Sequence, residues 1–313
     1  MNNSPNKHVL IYGDAFVDYI ADDSSNKHFS KFLGGATVNV AAGISRLGAS
    51  SSFITVTGED ATSKFVTAEL AAEGVDLSYA KMIPEKRVSG VYVHLTENKD
   101  RVFHTYVDET PDIQVEFSTL EEEAFQKASV FHFCSGTLFH PVALKTTKEI
   151  VANVKNLNGL LSFDANIRRL RWESEELCRE TILSFFSHVD LLKLTDEELF
   201  FLTEMQTLVE GIEKIQKYRI PIVLITIGEE GTYAVMNGEV IHIPVNKVEP
   251  VDTTGAGDAF MAGILRQIHL KGKPKTKDEW IDYIAFGNKL GAICATKFGA
   301  LSAMPRIDEL NEY

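Results

Sequence analysis

A chain of 313 residues, 44% hydrophobic and 24% charged, has the balance of an ordinary globular protein, neither disordered nor membrane-built. It is long enough to bury a sizeable core in one large α/β domain or two modest ones. A formal net charge of −13 without a basic run argues against nucleic acid or an anionic membrane as partner.

The polar stretch from Met1 to His8 lacks the cationic-then-apolar order of a secretory signal. The longest apolar run, Ile220 to Ile227, is too short to span a membrane and reads as a buried strand. Cys134, Cys178 and Cys294 lie far apart without metal-binding spacing, as expected of reduced core thiols in a cytoplasmic protein.

In chain order, the first predicted strand covers residues 8–12 and ends at Gly13. A helix over 36–47 stops at Gly48, a strand follows at 52–57, and a second helix over 62–72 ends at Gly74. Residues 89–95 and 101–107 are β-rich and joined by the polar turn Glu97-Asn98-Lys99-Asp100, which reads as a hairpin. From about residue 120, apolar strands at 130–134, 160–164, 189–194 and 221–227 alternate with helices near 141–155, 174–186 and 207–218. That alternation predicts a mainly parallel sheet covered by helices on both faces. A second hairpin, 232–235 with 240–243, turns at Asn237-Gly238, and helices over 256–270 and 278–296 complete the chain. With no repeat or interdomain linker, residues 1–313 read as one α/β domain. The early hairpin does not fit the layered sheet and is expected to form a small flap over a ligand site at the strand ends.

The stretch Asp252-Thr253-Thr254-Gly255-Ala256-Gly257-Asp258 opens a helical run. Two glycines and an alanine let the backbone approach a ligand where a helix begins, and the free N–H groups and helix dipole there favour an anion. Asp258, in the first turn, is placed to accept the proton of a hydroxyl attacking a phosphate held by those amides. Acidic residues also favour helix starts on electrostatic grounds alone, so the reading rests on the whole seven-residue string.

That string resembles the C-terminal signature of the ribokinase-like, phosphofructokinase B-type carbohydrate kinases. Gly34-Gly35-Ala36-Thr37-Val38-Asn39-Val40-Ala41, followed by Arg46-Leu47-Gly48, resembles the N-terminal signature of the same family. The two lie in the right order and separation, and the resemblance covers almost the whole chain. It implies an ATP-dependent kinase of a small sugar with a ribokinase-like α/β fold and a small β lid formed by about 14–33 and 88–112. Asp258 would be the general base, with the amides of Gly255, Ala256 and Gly257 holding the transferred phosphoryl group. Arg168, in Asp164-Ala165-Asn166-Ile167-Arg168, would face that phosphoryl or an acidic substrate group.

The same resemblance places the sugar against Asp18, Gly34, Gly35 and Asn39. It places the nucleotide along Lys193, Thr195, Glu198, Thr226, Gly228, Gly231 and Asn288. Thr195 stands where the family carries Asn, while Glu198 is kept. Mg²⁺ would arrive with ATP, and Asp252 and Thr254, with the loop around Gly299, match a site for a monovalent cation such as K⁺. An exposed edge of the lid offers a route to a homodimer.

Residues 43–48, 162–172 and 248–260 fit the fructokinase branch in particular. In the lid, Val107 stands where that branch often has an arginine. A kinase of 2-keto-3-deoxygluconate, ribose or a nucleoside-like riboside therefore stays open; sugar phosphates are disfavoured because the lid offers few cations. A catalytically silent sugar-binding protein is the reading of another class, and Thr195 and Val107 are the features that favour it. A dinucleotide-dependent oxidoreductase is excluded, because Gly13-Asp14-Ala15 stands where a Gly-x-Gly-x-x-Gly would be needed.

Overall fold

The computed structural model describes residues 7–97 and 101–312. Strand β1 (His8–Tyr12) leads into β2 (Phe16–Ala21) and β3 (Phe29–Gly34), followed by α1 (Ala36–Arg46). Next come β4 (Ser51–Ile54), β5 (Val56–Thr57), α2 (Ala61–Ala72) and β6 (Lys81–Met82). The hairpin strands β7 (Ser89–Leu95) and β8 (Arg101–Val107) follow; the turn expected at 98–100 lies outside the described residues. The regular part contains α3 (Glu122–Gln126), β9 (Ala128–Cys134), α4 (Pro141–Asn156), β10 (Leu161–Asp164), α5 (Glu175–Ser184) and β11 (Leu191–Thr195). It continues through α6 (Asp196–Thr203), α7 (Leu208–Gln216), β12 (Ile222–Thr226), β13 (Thr232–Met236) and β14 (Glu239–Ile243). Helices α8 (Ala256–Lys271) and α9 (Lys277–Ala295) close the chain.

Eight strands form the main sheet in the order β14-β13-β12-β11-β10-β9-β1-β4. From β4 to β12 every pair is parallel, and β13 and β14 add an antiparallel edge. Side chains alternate across a strand, and β1 shows the consequence. Val9 and Ile11 pack with α1, α8 and α9 residues such as Ile44, Ile264 and Ile284. Leu10 and Tyr12 join the opposite layer with Ile150, Ile182 and Ile215 of α4, α5 and α7. All five residues of β1 are buried, as a sheet covered on both faces requires. All three cysteines are buried and free. No helix among the described residues is long and apolar enough to cross a membrane.

The segment 14–33 folds as β2 and β3, which join β7 and β8 in a second, four-stranded sheet ordered β3-β2-β7-β8. The run expected as one strand over 52–57 is two. β4 pairs with β1, but β5 leaves the main sheet to pair with β6. The break falls at Thr55, whose hydroxyl accepts a hydrogen bond from the Ala15 backbone at 3.3 Å. Helix α6, which pattern alone did not separate from the strand before it, starts with a reciprocal cap. Thr195 Oγ1 accepts from Glu198 N at 3.1 Å and Glu198 Oε2 from Thr195 N at 2.9 Å.

Arg46 of the N-terminal signature does structural work in α1. Its guanidinium grips Glu73 at 2.6 and 2.7 Å, and it also donates to the backbone oxygens of Leu301 and Met304 near the C-terminus.

Candidate active site

A cleft of about 220 Å³ opens at the C-terminal ends of the parallel strands, under the second sheet. The loop after β1 contributes Gly13 and Asp14, the turn after β9 contributes Ser135 and Thr137, and the loop after β10 contributes Asn166 and Arg168. Asp18 and Tyr106 come from the second sheet, and Gly255 and Asp258 from the start of α8. This is the edge at which open parallel sheets bind ligands.

Gly255 is the residue before α8 and has a left-handed φ of 80°. A Cβ there would sit 2.8 Å from Ala300 Cα, so the turn needs glycine for both conformation and space. Ala256 N–H is already donated to the Thr253 carbonyl at 3.1 Å. Of the three amides expected to hold an anion, that of Ala256 is the one with a backbone acceptor among the described residues.

Asp258 is buried and accepts a 2.8 Å hydrogen bond from Asn39 Nδ2. The two signatures, 219 residues apart, meet in this one bond. Asn39 Oδ1 is buried and has no hydrogen-bond partner among the described residues. Burial holds the Asp258 carboxyl above the usual carboxylate range; the Asn39 bond, Lys193 and Arg168 oppose that shift, and Glu198 adds to it.

Behind the amides lies a buried ion pair. The strand registers set Cys134, Asp164 and Lys193 side by side on β9, β10 and β11. Lys193 Nζ lies 3.1 and 3.2 Å from the two Asp164 oxygens. It presses on α8 so closely that a Cβ on Gly257 would be 3.0 Å from the ammonium nitrogen. Burial works against the Lys193 charge, but Asp164, Glu198 and Asp258 outweigh it and hold its pKa above the ordinary lysine value. Burial pushes the Asp164 carboxyl up to about 7 against the pull of Lys193.

Glu198 has both carboxylate oxygens engaged. Oε2 caps α6, and Oε1 accepts from Ile167 N at 2.7 Å, which fixes the loop that carries Arg168. Thr195 serves as the helix cap through its hydroxyl, a role that an Asn could fill equally. Thr226, Gly228, Gly231 and Asn288 are not among the cleft-lining residues; the first three lie at the end of β12 and in the turn to β13, and Asn288 lies on α9. Asn288 is buried and fully used, accepting from Thr232 Oγ1 at 2.6 Å and donating to the Ile243 carbonyl at 2.9 Å. It anchors α9 to the edge hairpin.

Asp252 ties two loops together, accepting from Thr254 N and Gly299 N at 2.9 Å each. The carbonyl oxygens of Thr254 and Ala300 converge on Cys294 Sγ at 3.7 and 3.9 Å. Among the described residues no three His, Cys, Asp or Glu side chains cluster as a metal site.

Gly34 contributes by having no side chain, because a Cβ would come within 2.6 Å of Asp18 Oδ2. If Asp18 holds the sugar, as the family resemblance implies, Gly34→Ala is expected to displace that carboxylate and weaken acceptor binding about tenfold or more, with kcat changed less. Steady-state kinetics with varied sugar checks the split. Asp14 and Arg171 also line the cleft, although sequence reasoning gave neither a role. The run Arg168, Arg169, Arg171 offers three similar cations. Arg169 turns away to Glu175 and the Phe201 ring, and only the fold tells them apart.

The sequence matches the family model described as pfkB family carbohydrate kinase over residues 6–307. It is 33% identical to the fructokinase of Klebsiella pneumoniae over 306 residues, covering 97% of this chain and 98% of that relative. The fructokinase of Vibrio alginolyticus is 32% identical over 303 residues, covering 96% and 97%. The fructokinase from Vibrio cholerae O395, solved with fructose, ADP and a calcium ion, superposes with a TM-score of 0.87 at 31% identity, covering 98% and 99%. Aminoimidazole riboside kinase from Salmonella enterica, solved with aminoimidazole riboside and an ATP analog, gives a TM-score of 0.85 at 25% identity, covering 97% and 98%.

Proposed function

Because the chain belongs to the pfkB family of carbohydrate kinases, we propose that it transfers the γ-phosphoryl group of ATP to a hydroxyl of fructose, with Asp258 as general base. The observation that carries this reading is the buried Asp258 carboxylate beside the amides of Gly255 and Gly257, in one cleft with Arg168, Asp18 and Asn39. The fructokinase relatives and the fructose bound in one structural neighbour favour fructose over the other acceptors.

Asp18 takes hydrogen bonds from sugar hydroxyls, and Asn39 Oδ1, left unpartnered by the protein, accepts another. Asn39 also fixes the Asp258 oxygen that removes the proton from the attacking hydroxyl. The amides of Gly255 and Gly257 and the Arg168 guanidinium stabilise charge on the transferring group. ATP lies along β12 and β13, past Thr226, Gly228 and Gly231. Mg²⁺ arriving with the nucleotide would take most of its ligands from phosphate and water and would neutralise phosphate charge. Asp252 with the Thr254 and Ala300 carbonyls offers the hard oxygen donors that suit K⁺. The second sheet acts as the lid, excluding water from the cleft.

Thr195, one of the two features that favoured a silent binder, caps α6. A panel of fructose, ribose, 2-keto-3-deoxygluconate and nucleosides, read as ATP-dependent phosphorylation, tests the assignment. Fructose is expected to give the highest kcat/KM. Saturable fructose binding with no turnover on any compound would establish a silent sugar binder instead.

The partner read at the lid is a second copy of the chain. Phe32 on β3 and Phe103 on β8 expose 47% and 70% of their surface there. Sedimentation velocity is expected to show a dimer that Phe103→Asp converts to monomer.

A further inference from the structure

Two guanidinium groups and three carboxylates line the cleft: Arg168, Arg171, Asp14, Asp18 and Asp258. Arg168 acts on Asp258, at the transferring end. Arg171 is the cation left for the acceptor end, where a free guanidinium would make a ready fork for a carboxylate or phosphate. It is not free. Its Nη2 lies 3.3 Å from Asp108 Oδ2, and the two side chains are only 14% and 21% exposed. Its Cζ sits 4.6 Å from the ring centre of Phe139, 4.8 Å from that of Tyr106 and 5.7 Å from that of Phe16. To meet a ligand, the guanidinium would have to leave three aromatic faces and its counter-ion.

We propose that the Asp108–Arg171 pair makes the acceptor end of the cleft select neutral polyols and reject anionic sugars, a selectivity that rests on the sugar-kinase reading above. Asp108 Oδ1 is buried and has no hydrogen-bond partner among the described residues, so Arg171 only partly answers this carboxylate. Asp14 adds a second acid on the same side. Burial holds its carboxyl above the usual range, Asp108 adds to that, and Lys86, Arg171 and His140 oppose it. Lys86 is itself spent on backbone, donating to the Ile113 carbonyl at 2.8 Å. At the acceptor end an acidic sugar would therefore meet Asp14 and Asp18, and the cation there, Arg171, is already paired with Asp108. Like charges set against an unwanted ligand are an effective means of discrimination. A neutral sugar meets no such opposition. Its hydroxyls donate to the carboxylates, and its C–H faces pack on Phe16, Tyr106 and Phe139.

The test is calorimetric binding of fructose and of 2-keto-3-deoxygluconate to the full chain without nucleotide, for wild type, Asp108→Asn and Asp108→Glu. Wild type is expected to bind fructose at least about tenfold more tightly than the acid. Asp108→Asn, by releasing Arg171 and removing a charge, should narrow that ratio about tenfold, and Asp108→Glu should restore it. A merely structural role would weaken both ligands alike. If Asp108→Asn fails to fold, Asp14→Asn leaves the ion pair intact and should narrow the ratio by itself. Wild type binding the acid as tightly as fructose, or a ratio unmoved in the folded variants, overturns the proposal. Since binding is read without ATP, a chain that transfers no phosphoryl group would refute the kinase reading and leave this ratio measurable.

Discussion

Asp258→Asn is expected to lower kcat by about 10²–10⁴ while leaving fructose binding measurable and the fold no less stable. The amide keeps the shape of the carboxylate, and its oxygen can still accept the 2.8 Å bond from Asn39, so the geometry of the site is preserved. What is lost is the ability to take a proton. The stability expectation follows from the same burial. Asp258 has a folded pKa raised above its ordinary value, chiefly by burial. Such a group contributes stability below its unfolded pKa and loses it as pH rises through the folded value, so at neutral pH the ionised form is a burden on the fold. Removing the charge should leave the melting temperature equal or higher, the usual trade between stability and function at a catalytic centre. In the wild type, the acidic limb of kcat/KM should lie above the ordinary aspartate range, because the base must be ionised to act. Loss of activity accompanied by a fall in melting temperature would point to damage instead of chemistry. A variant that keeps more than about a tenth of wild-type kcat would remove Asp258 from the role of base.

What could be read from the chain, and what could not, divides along physical lines. The glycine turn that opens α8 was legible because it is local: Gly255, Gly257 and Asp258 are neighbours in sequence, and a helix start needs no distant partner to present its amides. The alternation of apolar strands and helices after residue 120 was legible for the same reason. The strands β2 and β3 were visible only as part of an expected lid, since half-exposed segments such as Phe29–Gly34 carry a weak pattern. The uses of Glu198 and Asn288 were not legible. Sequence gives a residue's chemical type, but only the fold says that Glu198 spends its oxygens on Thr195 and Ile167, and Asn288 its amide on Thr232 and Ile243. Arg171 was hidden in a run of arginines, and its meaning depends on Asp108, which lies 63 residues away. Lys193 was expected beside the nucleotide; that it pairs with Asp164 and packs against Gly257 of α8 could be seen only in the fold.

That placement makes Lys193→Met the second large effect. An ammonium packed behind Gly257 raises the potential at the amides proposed to hold the transferring group, and no solvent need reorganise for it to act. At an effective dielectric constant of about 20, a unit charge some 4–10 Å away contributes about 2–4 kcal/mol. A fall in kcat of about 10²-fold is therefore expected. Lys193 also pulls the Asp258 pKa down, so its removal should move the acidic limb of kcat/KM to higher pH. The fold should suffer too, because Asp164 would be left buried without its counter-ion, a loss of about 3–5 kcal/mol when the carboxylate is ionised. The pH dependence has a definite sign. Asp164 is already pushed up to about 7 in the folded protein, against an ordinary value of 3.8, and without Lys193 it rises further. Its burden on the fold therefore grows as pH increases from the ordinary value through the folded one, and the variant's melting temperature should fall more steeply over that window than the wild type's. Lys193→Met combined with Asp164→Asn separates the two roles. With the orphaned charge gone, the melting temperature should recover, but the rate and the shifted limb should not. Recovery of both in the double variant would make Lys193 a structural partner of Asp164 and leave the amides of Gly255 and Gly257, with Arg168, to stabilise the transferring phosphoryl group alone.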